Sequence, residues 1–333
     1  MQGKSASRYI MTKNLFIPCI LILLLVFTNK SVAQQTNSNE DYSAYLPEVR
    51  AFNQRLAHGE MAPPDSAAKI IIKPSVKYIK GPGGNIALRI FKPDTIRAVV
   101  LDIHGGGWSA GTAAFDDNVN DEMARICKVA VVSVDYRLAS PENPFPACIT
   151  DCNAAAKWLV NNAIKEFGTN KLFISGASAG GHLAAVTTLY IRDSLHAIDK
   201  VKGVNLISSC FDLSHTPSSR MATDSTLILS KEVIETIWEQ VFHGWSKEQL
   251  QNPQYSPLYA NTRNLPPALF TIGSADPLID DTYFMEARWR LAGNKTFLAV
   301  YPESPHAFNL FPTKMAMAAN KKVFQWISGL CEK

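Results

Sequence analysis

From Ala98 onward the chain repeats one pattern, a short and almost wholly apolar run followed by a stretch with helical spacing. The runs at 98–103, 129–134, 172–175, 204–207, 268–272 and 297–301 do not alternate apolar with polar residues, as a strand with one wet face would. Each is expected to be buried on both faces. Helical spacing follows at 119–127, 149–167, 181–191, 282–292 and 315–327. Strands separated by whole helices pair in parallel, so the expected fold class is α/β, a mostly parallel sheet flanked by helices. Ahead of it, strands at 76–78 and 86–91 joined by Gly81-Pro82-Gly83-Gly84 read as an edge hairpin. A helix is expected at 46–56, and Pro63 and Pro64 mark a break. The segment 211–259 carries no strand pattern and one clear helical piece at 231–241. An insertion of this length between core strands reads as part of a lid over an active site.

The 333 residues, 47% hydrophobic and 19% charged, are enough for one large domain or two small ones with an ample core. The N-terminus differs in kind. Lys4, Arg8 and Lys13 precede an apolar run at 15–27, and Ser31-Val32-Ala33 places small residues where a signal peptidase reads them. Residues 1–33 are therefore expected to be a signal peptide, cut after Ala33, and the protein secreted or periplasmic. The run is shorter than the roughly 20 residues a membrane span needs and contains Pro18, so no stable membrane insertion is expected after cleavage. Residues 34–42 are polar and read as a flexible leader.

The formal charge of +4 comes entirely from Lys4, Arg8, Lys13 and Lys30. Without them basic and acidic residues balance, and nothing points to nucleic acid as a partner. Beyond residue 33 lie Cys127, Cys148, Cys152, Cys210 and Cys331. Their odd number leaves at least one unpaired within the chain, their spacing fits no metal knuckle, and no disulfide is assigned. Cys148 and Cys152 read as small apolar residues near a helix start.

Chemistry enters at Gly176-Ala177-Ser178-Ala179-Gly180, between the strand at 172–175 and the helix from 181. A serine is a useful nucleophile only where a base can reach it and nothing crowds it. A tight strand-to-helix turn with bare glycines achieves that and aims free helix N–H groups at the reacting centre. A second glycine cluster, His104-Gly105-Gly106-Gly107-Trp108, follows the strand ending at Ile103. Bare backbone there lets N–H groups approach an oxyanion, so Gly105, Gly106, Gly107 and Ala179 are candidate donors. Asp276 and His306 each follow a strand at the end where active sites of such sheets collect. Rival acids are Asp280, Asp281 and Glu303, and rival bases are His182, His196, His215 and His243. Asp280 also reads as an N-cap for the helix at 282–292.

Five motifs in order, His104-Gly-Gly-Gly-Trp, Asp135-Tyr-Arg-Leu-Ala with Pro141-Glu-Asn-Pro-Phe-Pro-Ala, Gly176-Ala-Ser-Ala-Gly-Gly, Ala275-Asp-Pro-Leu-Ile-Asp, and Val300-Tyr-Pro with His306-Ala-Phe, resemble the hormone-sensitive-lipase-like family of α/β-hydrolase esterases. The resemblance spans about 47–330. It implies an eight-stranded α/β-hydrolase sheet with a helical cap formed by about 42–62 and the insertion at about 211–259, hydrolysis of carboxylic esters, and no metal or organic cofactor. By position it implies Ser178 as nucleophile, Asp276 as triad acid, His306 as base, and His104 as a brace for its loop. Two departures stand out: Ala177 replaces the aspartate that many members carry before the nucleophile, and Ser140 lengthens the loop before Pro141.

The expected function is an exported serine hydrolase acting on small esters of short to medium acyl chain. Carbohydrate acetyl esterase and aryl-formamide amidase use the same triad with a different pocket. A non-catalytic binding protein on this scaffold is the reading from another class. Trp108, Phe211, Trp245 and Phe308 are the aromatic candidates for a pocket wall, and a homodimer is one assembly the sequence leaves open.

Overall fold

A computed structural model describes residues 35–36, 40–60 and 70–332. The expected signal peptide and the Pro63-Pro64 break lie outside these residues. The strands are β1 (Gln35–Thr36), β2 (Ser75–Gly81), β3 (Gly84–Phe91), β4 (Ala98–Ile103), β5 (Val129–Asp135), β6 (Leu172–Ala177), β7 (Val201–Ile207), β8 (Ala268–Gly273) and β9 (Thr296–Tyr301). They form one sheet in the order β1-β9-β8-β7-β6-β4-β5-β3-β2, eight strands plus the two-residue β1 at an edge. Pairing is parallel except for β3, which runs against both β2 and β5. The leader expected at 34–42 is thus not wholly loose: β1 pairs with β9, and Tyr42 is buried with its ring 5.1 Å from that of Tyr301.

The helices are α1 (Leu46–Ala57), α2 (Asp117–Cys127), α3 (Ala147–Phe167), α4 (Ala179–Asp193), α5 (Pro217–Arg220), α6 (Lys231–Phe242), α7 (Lys247–Leu250), α8 (Ile279–Leu291) and α9 (Lys314–Cys331). Alternate residues of the central strands feed opposite cores. Val99, Leu101 and Ile103 of β4 belong to the core shared with α3 and α4, while Ala98 and Val100 belong to the core shared with α2 and α9. Leu101 and Ile103 are fully buried, and each such side chain contributes about 1.5–3 kcal/mol. This is why the central strands carry few polar residues.

Register sets the site. Ile103 of β4 stands opposite Gly176 of β6, Ala177 of β6 opposite Ile207 of β7, and Gly273 of β8 opposite Tyr301 of β9. The C-terminal ends of these strands therefore share one rim, and the segments carrying His104 to Trp108, Ser178, Asp276 and His306 all leave it. The insertion between β7 and β8 holds α5, α6 and α7 and no strand. Serine N-caps start α6 and α7, where Ser230 accepts from Val233 N and Ser246 forms a capping box with Gln249. Ile237 of α6 lies against Gly107, and the Trp238 indole donates to the Leu213 carbonyl at 2.7 Å, which sets α6 over the glycine loop after β4.

Candidate active site

β6 ends at Ala177, and Ser178 turns the chain with φ 55° and ψ −125° before α4 begins. A side chain at positive φ here costs on the order of 1–3 kcal/mol, so the surroundings must hold it. They do so through hydrogen bonds from Ser178 N to Ile207 O (2.8 Å) and from Gly181 N and His182 N to Ser178 O (3.0 and 3.2 Å). Gly180 makes the turn sterically accessible, because a Cβ there would overlap the carbonyl oxygen of Ile103. The close approach sets the first amide of α4, that of Ala179, beside the loop after β4.

In that loop Gly106 has φ 116°, and a side chain on it would strike the Ala110 carbonyl. Among the described residues no group accepts a hydrogen bond from the N–H of Gly106 or Gly107. Gly105 is buried against the Ala177 carbonyl and Ser178 Cβ. His104 is fully buried, its ring stacked on Tyr136 with centroids 4.2 Å apart, and its Nδ1–H donates to Gly105 O at 2.7 Å. Burial lowers its pKa, so it stays neutral, and Tyr136 Oη donates to its carbonyl at 2.9 Å. A ring enclosed in this way braces the loop.

Asp276 and His306 arrive on the loops after β8 and β9. His306 Nε2 lies 2.9 Å from Ser178 Oγ, and His306 Nδ1 lies 2.9 Å from Asp276 Oδ2. The other carboxylate oxygen of Asp276 accepts from Leu278 N at 2.9 Å, which fixes the plane of the carboxylate. Asp276 and His306 are 2% and 5% exposed, whereas Ser178 is half-buried, so the row opens to solvent only at the hydroxyl.

The rival residues are occupied elsewhere. Asp281 accepts from Phe211 N (2.6 Å), Asp212 N (2.9 Å) and Thr216 Oγ1 (2.6 Å), with burial raising its pKa to about 7. Asp280 is not an N-cap, because α8 begins at Ile279; it accepts instead from Ser218 N at 2.8 Å. Glu303 pairs with Arg50, His215 lies on Trp238, His243 pairs with Glu239 on the surface, and His196 sits in an exposed turn. His182 receives the Trp108 indole N–H on Nδ1 at 3.1 Å and donates from Nε2 to the Tyr255 carbonyl.

Three of the four aromatic candidates are corrected. Phe211 is fully buried on Phe270, Phe308 packs on Tyr301, and Trp108 packs edge-on against His182, Trp238 and Phe242. All three serve the core. Trp245 is half-buried and also packs, against Phe145 and Tyr255. Sequence reasoning passed over Arg50, Asn53 and Ser274, which hold the loops of Asp276 and His306. Their partners lie far away in the chain, and no local pattern marks them.

Among the described residues the five cysteines are buried and none is bridged to another. Among the described residues no cluster of three or more His, Cys, Asp or Glu could hold a metal, and no helix is long and apolar enough to cross a membrane.

Comparison with known proteins agrees with this fold. A family described as alpha/beta hydrolase fold matches residues 100–310. The versiconal hemiacetal acetate esterase of Dothistroma septosporum is 32% identical over 279 residues, covering 80% of this chain and 82% of that protein. Among solved structures, the hyperthermophilic esterase of Pyrobaculum calidifontis superposes with a TM-score of 0.75 at 29% identity, covering 85% of this chain and 98% of that one. A hormone-sensitive lipase from a metagenome library gives a TM-score of 0.72 at 27% identity, covering 84% and 98%. The chain belongs to the α/β-hydrolase family, in its hormone-sensitive-lipase-like branch, and is a carboxylic ester hydrolase.

Proposed function

We propose that the protein is an exported serine esterase in which Ser178, His306 and Asp276 act as the triad on carboxylic esters of short to medium acyl chain. The observation that carries this reading is the row of two 2.9 Å contacts from Ser178 Oγ through His306 to Asp276. Ser178 Oγ attacks the ester carbonyl as its proton passes to His306 Nε2. Asp276 fixes the imidazole tautomer through Nδ1–H and steadies the imidazolium. The carbonyl oxygen becomes an anion, held by amides among Gly105, Gly106, Gly107 and Ala179; the free N–H groups of Gly106 and Gly107 support that role. The imidazolium returns its proton to the leaving alcohol, and His306 then activates water to release the acid from the acyl-enzyme.

The acetate ester in the name of the Dothistroma relative supports a short acyl group. The insertion serves as a lid, since α6 lies over the glycine loop. Export is carried by the residues of 1–33.

A fluorophosphonate probe should label the wild type and not Ser178→Ala, and that variant should lose at least about 10⁴-fold in kcat. Labelling that survives the substitution would remove Ser178 from its role. Acetyl, butyryl, octanoyl and palmitoyl nitrophenyl esters tested beside acetylated sugars and an aryl formamide will rank the substrate classes, and a preference for palmitoyl would refute the acyl-length assignment.

A further inference from the structure

The base His306 stands in the loop 302–307, where Glu303 and Ala307 both have φ near the left-handed value, 55° and 57°. Neither is glycine, so the loop does not hold this shape by its own preference. Every polar group of Glu303 is gripped. Its N–H donates to Ser274 Oγ at 2.8 Å, its carbonyl accepts from Asn53 Nδ2 at 2.8 Å, and its carboxylate accepts from Arg50 Nε and Nη2 at 2.7 and 2.6 Å. Ser274 belongs to the loop of Asp276, and the two loops are further joined by Ser274 N to Tyr301 O (2.8 Å) and Ala275 N to Ser304 O (3.1 Å). Arg50 and Asn53 belong to α1.

We propose that α1 sets the catalytic geometry, with Arg50 and Asn53 acting as positioning residues that hold Glu303 and through it the loop of His306. The inference rests on the triad reading above. The grip is not needed to dock α1: Val49 and Phe52 are buried, the Phe52 ring lies 4.9 Å from that of Phe311, and Glu48 accepts from Lys314 N at 3.1 Å. The Arg50–Glu303 pair is exposed on both sides, and such pairs add little to stability. Its two-pronged geometry does define a position, and a displacement of about 1 Å at a reacting group can cost about 10²-fold in rate.

The test compares Arg50→Gln, Asn53→Ala and their combination with the wild type on a nitrophenyl acetate, with thermal unfolding and fluorophosphonate labelling rates measured alongside. The expected result is a kcat lower by about tenfold in each single variant and up to about 10²-fold in the combination, with KM within about twofold and little change in unfolding temperature. Labelling should slow in parallel with kcat, and Arg50→Lys, which keeps the charge but not the fork, should recover only part of the loss. Wild-type kcat in the combined variant, or a raised KM with kcat intact, would overturn the proposal. If the combination fails to fold, kcat and labelling in Arg50→Gln and Arg50→Lys decide. A wild type that the probe does not label would fail the triad reading instead, so the two failures are distinguishable.

Discussion

The nucleophile and the base meet at one point, yet their surroundings are built differently. Ser178 is placed within one stretch of chain, β6, one turn and α4, by local backbone hydrogen bonds and by steric contact of the Gly180 backbone with the end of β4. His306 is placed by hydrogen bonds that gather α1, the loop after β8 and the loop after β9 from positions up to 253 residues apart. Steric placement in a close-packed interior is intolerant of added volume and has few intermediate states. Placement by a set of polar contacts can be weakened one contact at a time. The elbow should therefore break at once, and the acid–base side by degrees.

The largest effect tests the first half of that contrast. Gly180→Ala puts a methyl group into the Ile103 carbonyl, a backbone atom that cannot turn aside. The variant is expected to lose about 3 kcal/mol or more, with no probe labelling, as judged by denaturant midpoint and activity. A variant with wild-type stability would show that the elbow is not held by contact. On the other side, Asp276→Asn keeps the shape and can still accept from Leu278 N, but it no longer enforces the imidazole tautomer. We expect kcat to fall by roughly 10³–10⁴-fold while the denaturant midpoint moves little. A large loss of stability here would erase the distinction between the two sides.

The same contrast explains what could be read before any coordinates. The fold was legible because strands buried on both faces must be apolar throughout, and the elbow was legible because its constraint is local. Helix starts were the weakest readings. Helix α8 begins at Ile279 and not at Thr282, which moves Asp280 from a cap into the first turn, where it binds Ser218 N. The aromatic residues misled because a ring in a loop beside a site can equally face inward. Phe211, Phe308 and Trp108 are at most 2% exposed, and composition cannot tell which side of a loop is filled. Arg50, Asn53 and Ser274 left no trace, since an arginine on an amphipathic helix looks solvated until its partner is placed.

The smallest of these effects concerns pH and falls on the elbow side. His182, in the first turn of α4, joins the indole of Trp108 to the carbonyl of Tyr255. Accepting on Nδ1 while donating from Nε2 requires the neutral ring, and burial pushes its pKa down to about 4. In the unfolded chain the same imidazole takes up a proton below about pH 6.5. Between those values the unfolded state binds more protons than the folded one, so stability falls as pH drops from about 6.5 to about 4 and levels off below. Denaturant midpoints measured from pH 7 to pH 4 should show this slope in the wild type and a shallower one in His182→Gln. Equal slopes would mean that the tie between glycine loop and lid tolerates a charged ring, leaving the elbow less rigid than its contacts indicate.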